Sequence, residues 1–406
     1  MKTILASAYA VNPYKGSEDG MGWNFTLQIA KYNKVIAVTR KNNREAIERY
    51  MKENPNEVYQ NMTFMYFDLP KHLMFWKRGS KGAMLYYVLW QKALVKFIEK
   101  SELKFDLVHN LNFHNDWTPS YLWKLDKPFV WGPIGHHPVI PEKLMQNASF
   151  GDKMKDKVTW LIKKMFWKFS FGLKKTVNHA QHVMCMNTSV AEKLNLNEEK
   201  FSIMPSVASE DLGFNNFISS SYFNVLSVGR FVPLKGFDLT IHAFAKFIHE
   251  LPEEKRAYCR LNLVGKGPQE ESLKALVKTL KIETNVKFIP WMERAELLKL
   301  YTKSKLFLFP SHEGAGMVVS EAMSFGLPVV CLNNVGPGEF INSESGIAVP
   351  IGKYEETTSR LANAVEKIYK DDELQMRMSA AARNRYENHF SWDVRGEQLK
   401  TIYASL

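Results

Sequence analysis

The chain has 406 residues, 45% of them hydrophobic and 24% charged, which excludes a disordered protein and exceeds what one core organises. Its formal net charge of +12 favours anionic partners, yet no zinc-finger spacing, aromatic RNA-binding segment or recognition-helix pattern occurs, so nucleic acid is set aside. Three scattered cysteines, Cys185, Cys259 and Cys331, make neither a disulfide framework nor a zinc set and read as reduced core residues in the cytosol.

The opening run, residues 2–8, predicts a β-strand rather than a signal peptide, because its short apolar stretch leads straight into a glycine loop. That loop is residues 16–23, and a helix over 21–32 and a strand over 34–39 follow. Further strands are expected at 106–108 and 129–131, with helical material between them. A strand at 182–186, a helix at 189–194 and a strand at 201–204 complete the first half. Residues 206–221 are polar, contain Gly213 and carry no sustained period, so they predict a linker.

After it the alternation restarts: strand 223–228, helix 238–249, strand 260–264, helix 269–280, strand 286–289, helix 295–303 and strand 306–309. Strand alternating with helix argues for parallel sheets covered by helices, an α/β chain with two doubly wound halves. The last segment, 392–405, is helical. No stretch approaches the ~18–20 apolar residues needed to cross a bilayer.

The chemistry concentrates in the run from Ser311 to Met323. Glu313 and Glu321 stand seven residues apart there, one in a glycine loop behind a strand, the other inside a short helix. Gly314 and Gly316 let backbone approach a ligand closely, and the amides opening the helix at Met317 and Val318 can hold an anion. Two acids on either side of an anion site suit a molecule with hydroxyls at both ends and phosphate between, as in a nucleotide-sugar. Earlier, Arg230 and Lys235 follow a strand within Gly229-Arg230-Phe231-Val232-Pro233-Leu234-Lys235-Gly236. A guanidinium offers a planar fork to phosphate oxygens and an ammonium a mobile point charge. No Asp-X-Asp occurs, so fixed positive charge and amides would serve where many glycosyltransferases use a metal.

Glu-X7-Glu in this setting resembles the retaining glycosyltransferases of family 4, which have the GT-B fold. The 225–236 segment is similar to that family's diphosphate-binding strand-loop. Residues 263–268, with Gly265 and Gly267, resemble its next strand-loop, residues 346–349 the strand after the acids, and residues 16–23 the glycine loop of its N-terminal domain. The resemblance implies two Rossmann-like domains facing each other across a cleft. The expected division is 1–205 for the acceptor side, 206–221 for the linker, 222–385 for the donor side and 386–406 for a terminal helix returning to the first domain. It also implies roles: Glu313 beside the donor hexose, Glu321 on the ribose hydroxyls, Gly265 and Ile289 lining the base pocket, and Gly16 admitting the donor phosphate.

On the acceptor side the strand 129–131 runs into Gly132-Pro133-Ile134-Gly135-His136-His137, resembling a subgroup with a glycine-rich loop. His136 and His137 either contact donor or acceptor or pack against Trp131; His109 and His114 flank another strand end. Residues 153–175 set Val158, Leu161, Ile162, Met165 and Phe169 on one helical face with Trp160 and Trp167 at its flanks and lysines elsewhere. A second basic-aromatic stretch is 71–100, with Phe75, Trp76, Tyr86, Tyr87 and Trp90. Such faces either meet an anionic membrane or pack on the domain with solvated lysines.

The resulting expectation is a retaining, metal-independent hexosyltransferase without cofactor. Its donor is a nucleotide-diphosphate sugar, UDP ahead of GDP, and its acceptor a saccharide or lipid-linked saccharide in polysaccharide synthesis. It would be cytoplasmic and peripheral on the inner membrane face. The rival expectations are a sugar-nucleotide 2-epimerase of the same fold and a non-catalytic polybasic membrane-binding protein.

Overall fold

The computed structural model describes residues 1–70, 72, 74, 76, 82–111, 115–204, 208–211, 221–290 and 292–406. The strand-helix alternation folds into two compact units, one of Met1–His136, Thr159–Met204 and Trp392–Leu406, the other of His137–Val158 and Pro205–Ser391. His114, Phe75 and most of the 206–221 segment, Gly213 included, lie outside the described residues.

The first unit holds a seven-stranded parallel sheet of β1 (Thr3–Ser7), β2 (Lys34–Thr39), β3 (Met62–Tyr66), β4 (Leu107–Asn110), β5 (Phe129–Ile134), β6 (His182–Cys185) and β7 (Phe201–Ile203). Their order is β3-β2-β1-β4-β5-β6-β7. The second unit holds six more parallel strands: β8 (Phe223–Val228), β9 (Cys259–Val264), β10 (Val286–Ile289), β11 (Leu306–Phe309), β12 (Val329–Leu332) and β13 (Gly346–Val349). Here the order is β10-β9-β8-β11-β12-β13. Both sheets reverse their winding once, between β1 and β4 and between β8 and β11. Their central strands are buried on both faces, which is why they read as short unbroken apolar runs.

The first six helices are α1 (Ser17–Tyr32), α2 (Arg44–Glu53), α3 (Ala83–Glu99), α4 (Phe150–Phe169), α5 (Phe171–His179) and α6 (Thr188–Leu194). In the second unit α7 (Phe237–Glu250), α8 (Glu253–Arg256), α9 (Glu270–Thr279), α10 (Arg294–Thr302), α11 (Met317–Ser324) and α12 (Pro337–Phe340) alternate with the strands. They are followed by α13 (Tyr354–Lys370) and α14 (Asp372–His389), and α15 (Trp392–Ser405) ends the chain.

One expectation needs correction. The segment 16–23 is not a glycine loop: α1 starts at Ser17, so Gly20 and Gly22 are helical and only Gly16 remains outside, as the N-cap. A helical glycine costs about 1 kcal/mol against alanine. Burial of Met21, Trp23 and Phe25 outweighs that, and Glu18 and Asp19 suit the positive end of the helix. At Gly20 a Cβ would collide with the carbonyl of Lys15. Of the two readings of the 71–100 stretch, packing on the domain is the one that its described aromatics on α3 follow. Tyr86, Tyr87 and Trp90 are buried, and Tyr9 meets Tyr87 and Trp90 edge-on at 5.2 Å each.

α15 packs within the first unit. Trp392 meets the edge of Phe25 at 5.2 Å, Lys31 pairs with Asp393, and Tyr32 donates to Glu397 at 2.6 Å. Its deepest contact is Tyr403, which lies 2.5 Å from Nδ1 of His109 on β4. The other ring nitrogen of His109, Nε2, lies 2.7 Å from the Gly132 carbonyl. A carbonyl only accepts, so Nε2 carries the proton and Nδ1 receives the tyrosine hydroxyl. His109 is fully buried with both nitrogens engaged, which makes it a core tie.

Burial lowers the His109 pKa from 6.5 to about 3. Between those values the unfolded chain binds a proton that the folded chain refuses, so this contribution is complete above pH 6.5 and is lost as the pH falls. Acidification from pH 7 to pH 5 is expected to remove about 2 kcal/mol through His109 alone. Thermal melts across that range check this, and a flat melting temperature contradicts it.

Candidate functional site

In an open α/β sheet the strand ends diverge where the winding reverses, leaving a crevice at the carboxyl edge. In the second unit that point lies between β8 and β11, and the residues after both strands carry the chemistry. After β8 the chain makes a single 3-10 turn, Pro233–Lys235, closed by Gly236 at φ 65°. A side chain at Gly236 would run into the Pro310 carbonyl, so the turn can press against the end of β11 only as glycine. Two bonds fasten the loops: the His312 amide donates to the Leu234 carbonyl at 2.8 Å and the Ser311 hydroxyl to the same oxygen at 3.2 Å. His312 is itself buried, and burial alone pushes its pKa down to about 4, so it stays neutral.

Lys235 Nζ thereby meets Glu313 Oε2 at 2.6 Å, with both side chains about five-sixths buried (15% and 16% exposed). The ammonium also lies 5.1 Å from the Phe309 ring centroid. Arg230 is exposed, and no carboxylate pairs with it among the described residues. Glu321 is 6% exposed on α11, and its Oε2 accepts from the Tyr301 hydroxyl at 3.4 Å. The structure therefore gathers Arg230, Lys235, Glu313, Gly314, Gly316, Met317, Val318 and Glu321 at the carboxyl edge of one sheet.

Gly265 and Ile289 sit at the neighbouring strand ends. The Gly229 amide donates to the Val264 carbonyl at 2.9 Å, and the Gly265 amide to the Ile289 carbonyl at 3.0 Å. Gly265 has φ 155°, and a Cβ there would lie far inside contact distance of the Gly229 carbonyl. A Cβ at Gly267 would likewise collide with the Phe231 backbone, 2.4 Å from its carbonyl oxygen.

Two supports escaped the sequence reading. Asn334, after β12, donates to the Ser311 carbonyl at 2.7 Å and accepts from the amides of Gly336 and Gly338 at 3.2 and 3.3 Å. Gly336 packs on the Glu313 peptide so closely that any Cβ would overlap its oxygen. An Asn-Asn-Val-Gly-Pro-Gly run immediately behind a buried strand was the available signal. His137 belongs to the second unit: its Nδ1 accepts the Gly314 amide at 3.1 Å. Leu144 of the same segment is buried in that unit's core, and the Asn147 side chain hydrogen-bonds Tyr354.

The other candidates lie in the first unit. Gly16 caps α1, His109 is the core tie described above, and His136 bonds Asp116 at 2.7 Å. Neither Trp160 nor Trp167 flanks an outward face, as the sequence led one to expect. Both turn to His136, with ring centroids at 5.9 and 5.4 Å. The apolar stripe of α4 is exposed instead: Val158 is 49%, Leu161 60%, Met165 54% and Phe169 69% accessible.

Residues 209–385 match the family described as Glycosyl transferases group 1. An uncharacterized glycosyltransferase of Haemophilus influenzae is 32% identical over 168 residues, 41% of this chain and 44% of the relative. A GDP-mannose-dependent monoacylated alpha-(1-6)-phosphatidylinositol monomannoside mannosyltransferase of Corynebacterium glutamicum is 28% identical over 184 residues, 43% of this chain and 45% of the relative. The chain thus spans less than half the length of these relatives. The solved structure of Anabaena HepE in complex with UDP and glucose superposes with a TM-score of 0.65 at 16% identity, covering 100% of both chains. The fold is GT-B.

Gly265→Ala is expected to destabilise the second unit by at least ~2 kcal/mol, since positive φ and a backbone clash act together. Thermal unfolding measures this, and a melting temperature equal to that of the parent chain contradicts the close approach of β8 and β9.

Proposed function

We propose, since residues 209–385 belong to the glycosyl transferases group 1, that the chain moves a hexosyl group from a nucleotide-diphosphate sugar to a saccharide or lipid-linked saccharide acceptor. It does so with retention and without a metal, as the resemblance to family 4 implies. The observation that carries this reading is the Lys235–Glu313 pair beside the sheet reversal, with Arg230 exposed and meeting no carboxylate among the described residues, and Glu321 behind it. UDP is the favoured nucleotide, supported by HepE, which is solved with UDP and glucose; the GDP-mannose-dependent relative keeps GDP second.

In the chemistry proposed, Arg230 and Lys235 take the diphosphate together with the first amides of α11. A diphosphate competes for the ammonium that Glu313 holds in the free protein, so donor binding releases the carboxylate toward the sugar. Glu313 then accepts from a hexose hydroxyl and faces the positive charge that develops at the anomeric carbon. The bond from that carbon to the phosphate oxygen breaks, the acceptor oxygen bonds to the same face, and its proton passes to the departing phosphate. Glu321 holds the ribose hydroxyls. The rate gain comes from fixed charge and positioning rather than a protein nucleophile.

The acceptor is met at an anionic lipid surface, at the inner face of a membrane. Along α4, Phe150, Met154, Val158, Leu161, Ile162, Met165 and Phe169 are all at least 43% exposed. At 100° per residue they fall within an arc of about 120°. Six lysines against two aspartates lie on the same helix. An apolar stripe bordered by cations fits the headgroup boundary of anionic lipids. Among the described residues no helix is long and apolar enough to cross a membrane.

Glu313→Ala is expected to abolish hexosyl transfer, assayed in EDTA with UDP- and GDP-sugars, while circular dichroism stays that of the parent. Full turnover in that variant, or turnover of the parent that only magnesium restores, would remove the scheme. For the membrane contact, Leu161→Ser with Met165→Ser should weaken sedimentation with phosphatidylglycerol vesicles about tenfold or more, from ~0.8 kcal/mol per buried methylene. Lys163→Glu, Lys164→Glu and Lys168→Glu together should weaken it further at low salt. Unchanged binding in both variants contradicts the lipid surface.

A further inference from the structure

The first unit contains a titratable pair that the donor chemistry leaves unused. Asp116 is 2% exposed at its side chain and its carboxylate lies 2.7 Å from Nδ1 of His136. A carboxylate only accepts, so Nδ1 carries the proton, and in the neutral imidazole the lone pair sits on Nε2. The histidine is held from other sides too. Asn187 donates to its carbonyl at 2.9 Å, and Asn115 bridges to Gly135 next to it. Trp160 and Trp167 pack against its ring, and Trp167 Nε1 donates to the Asp116 carbonyl at 3.1 Å.

His109 in the same unit marks the difference between a structural and a poised imidazole. Its ring is sealed at 0% exposure with both nitrogens bonded. The His136 side chain keeps 11% of its surface open, and Nε2 meets no protein partner among the described residues. Burying an imidazole to this depth with one nitrogen unmatched is unfavourable unless that nitrogen faces solvent or a ligand. The arrangement fixes the tautomer through a buried carboxylate and presents an acceptor at the rim of two indoles.

We propose that His136, oriented by Asp116 and walled by Trp160 and Trp167, is a saccharide subsite in which a pyranose hydroxyl donates to Nε2 while the C–H face of the ring packs on indole. This deepens the transferase reading by naming where the first unit takes acceptor sugar, and it rests on that reading for the word acceptor alone. Asp116 is a positioning residue: it acts through the imidazole. Lys163 and Lys193 stand 4.9 and 4.1 Å from the centroids of the two indoles, so the rim also carries cations that a phosphorylated sugar would meet.

Two measurements on the full chain without nucleotide test the subsite. Nitrogen-15 NMR of histidine-labelled protein should find His136 protonated at Nδ1. Millimolar methyl α-glucoside or glucose 1-phosphate should move its Nε2 resonance and change tryptophan emission. Tighter response to the phosphate would assign the lysines to the subsite, and equal response would assign neutral saccharide; both support it. His136→Gln and Asp116→Asn should each weaken the emission response by about tenfold, the scale of one lost hydrogen bond to a positioned group. An Nε2-protonated tautomer, or a resonance that neither sugar moves, overturns the proposal in the unaltered chain even where a variant fails to fold. Separately, a parent chain that UDP and GDP leave unstabilised would sink the donor reading and leave this titration standing.

Discussion

A lysine and a glutamate held 2.6 Å apart, mostly out of water, set the terms for the second unit. Such a pair is poor value for stability, because two apolar side chains of the same volume would hold the loops equally well. Removing one partner, by contrast, strands a charge at about 3–5 kcal/mol when burial is complete. The surroundings are arranged around keeping both. Gly236 lets the β8 turn reach β11, His312 and Ser311 bond its carbonyl, and Asn334 and Gly336 close the loop from the β12 side. Each of these contacts places an ionisable head where a polyanion could exchange for one of them, which is a use that stability alone does not supply.

Histidines across the molecule show how one residue type takes different work from its surroundings. His109 spends both nitrogens inside a core and His312 is buried neutral between two loops. His137 receives a backbone amide beside Glu313, while His136 keeps one nitrogen for the outside. Consecutive residues in the chain, His136 and His137, even fall in different compact units. Nothing in the dipeptide distinguishes them; what each nitrogen meets does.

Two basic, aromatic stretches likewise part ways. On α3 the rings of Tyr86, Tyr87 and Trp90 fill the first unit's core, and hydrophobic burial of this size, about 1.5–3 kcal/mol per large side chain, outweighs any surface role. On α4 the tryptophans turn inward and the aliphatic stripe stays in solvent. An exposed contiguous stripe is the arrangement a monomeric soluble surface avoids, and lysines beside it give the face an electrostatic preference.

The order of strands along the chain was legible because parallel strands are short, mostly apolar runs, and 34–39, 223–228, 286–289 and 306–309 coincide with β2, β8, β10 and β11 to the residue; the GT-B class came from the resemblance of the Glu-X7-Glu setting to family 4. Arg230, Lys235 and Glu313 were legible because each follows such a strand within a glycine-marked loop, and Glu321 because it stands seven residues beyond Glu313 in the short helix that follows. The edge strand β3 was not, since its half-buried Met-Thr-Phe-Met-Tyr offers weak contrast between faces. Nor was the start of α1, where burial of Trp23 and Phe25 overrides the glycines. By itself the sequence determined which residues bear charge and how the strands alternate, because these follow from local composition and period. Only the tertiary structure decided that Lys235 reaches Glu313, that Asp116 orients His136, that Asn334 and Gly336 brace the acid loop, and that the α4 stripe faces solvent. Those depend on which strand ends become neighbours, and sheet order is written in no local stretch of chain.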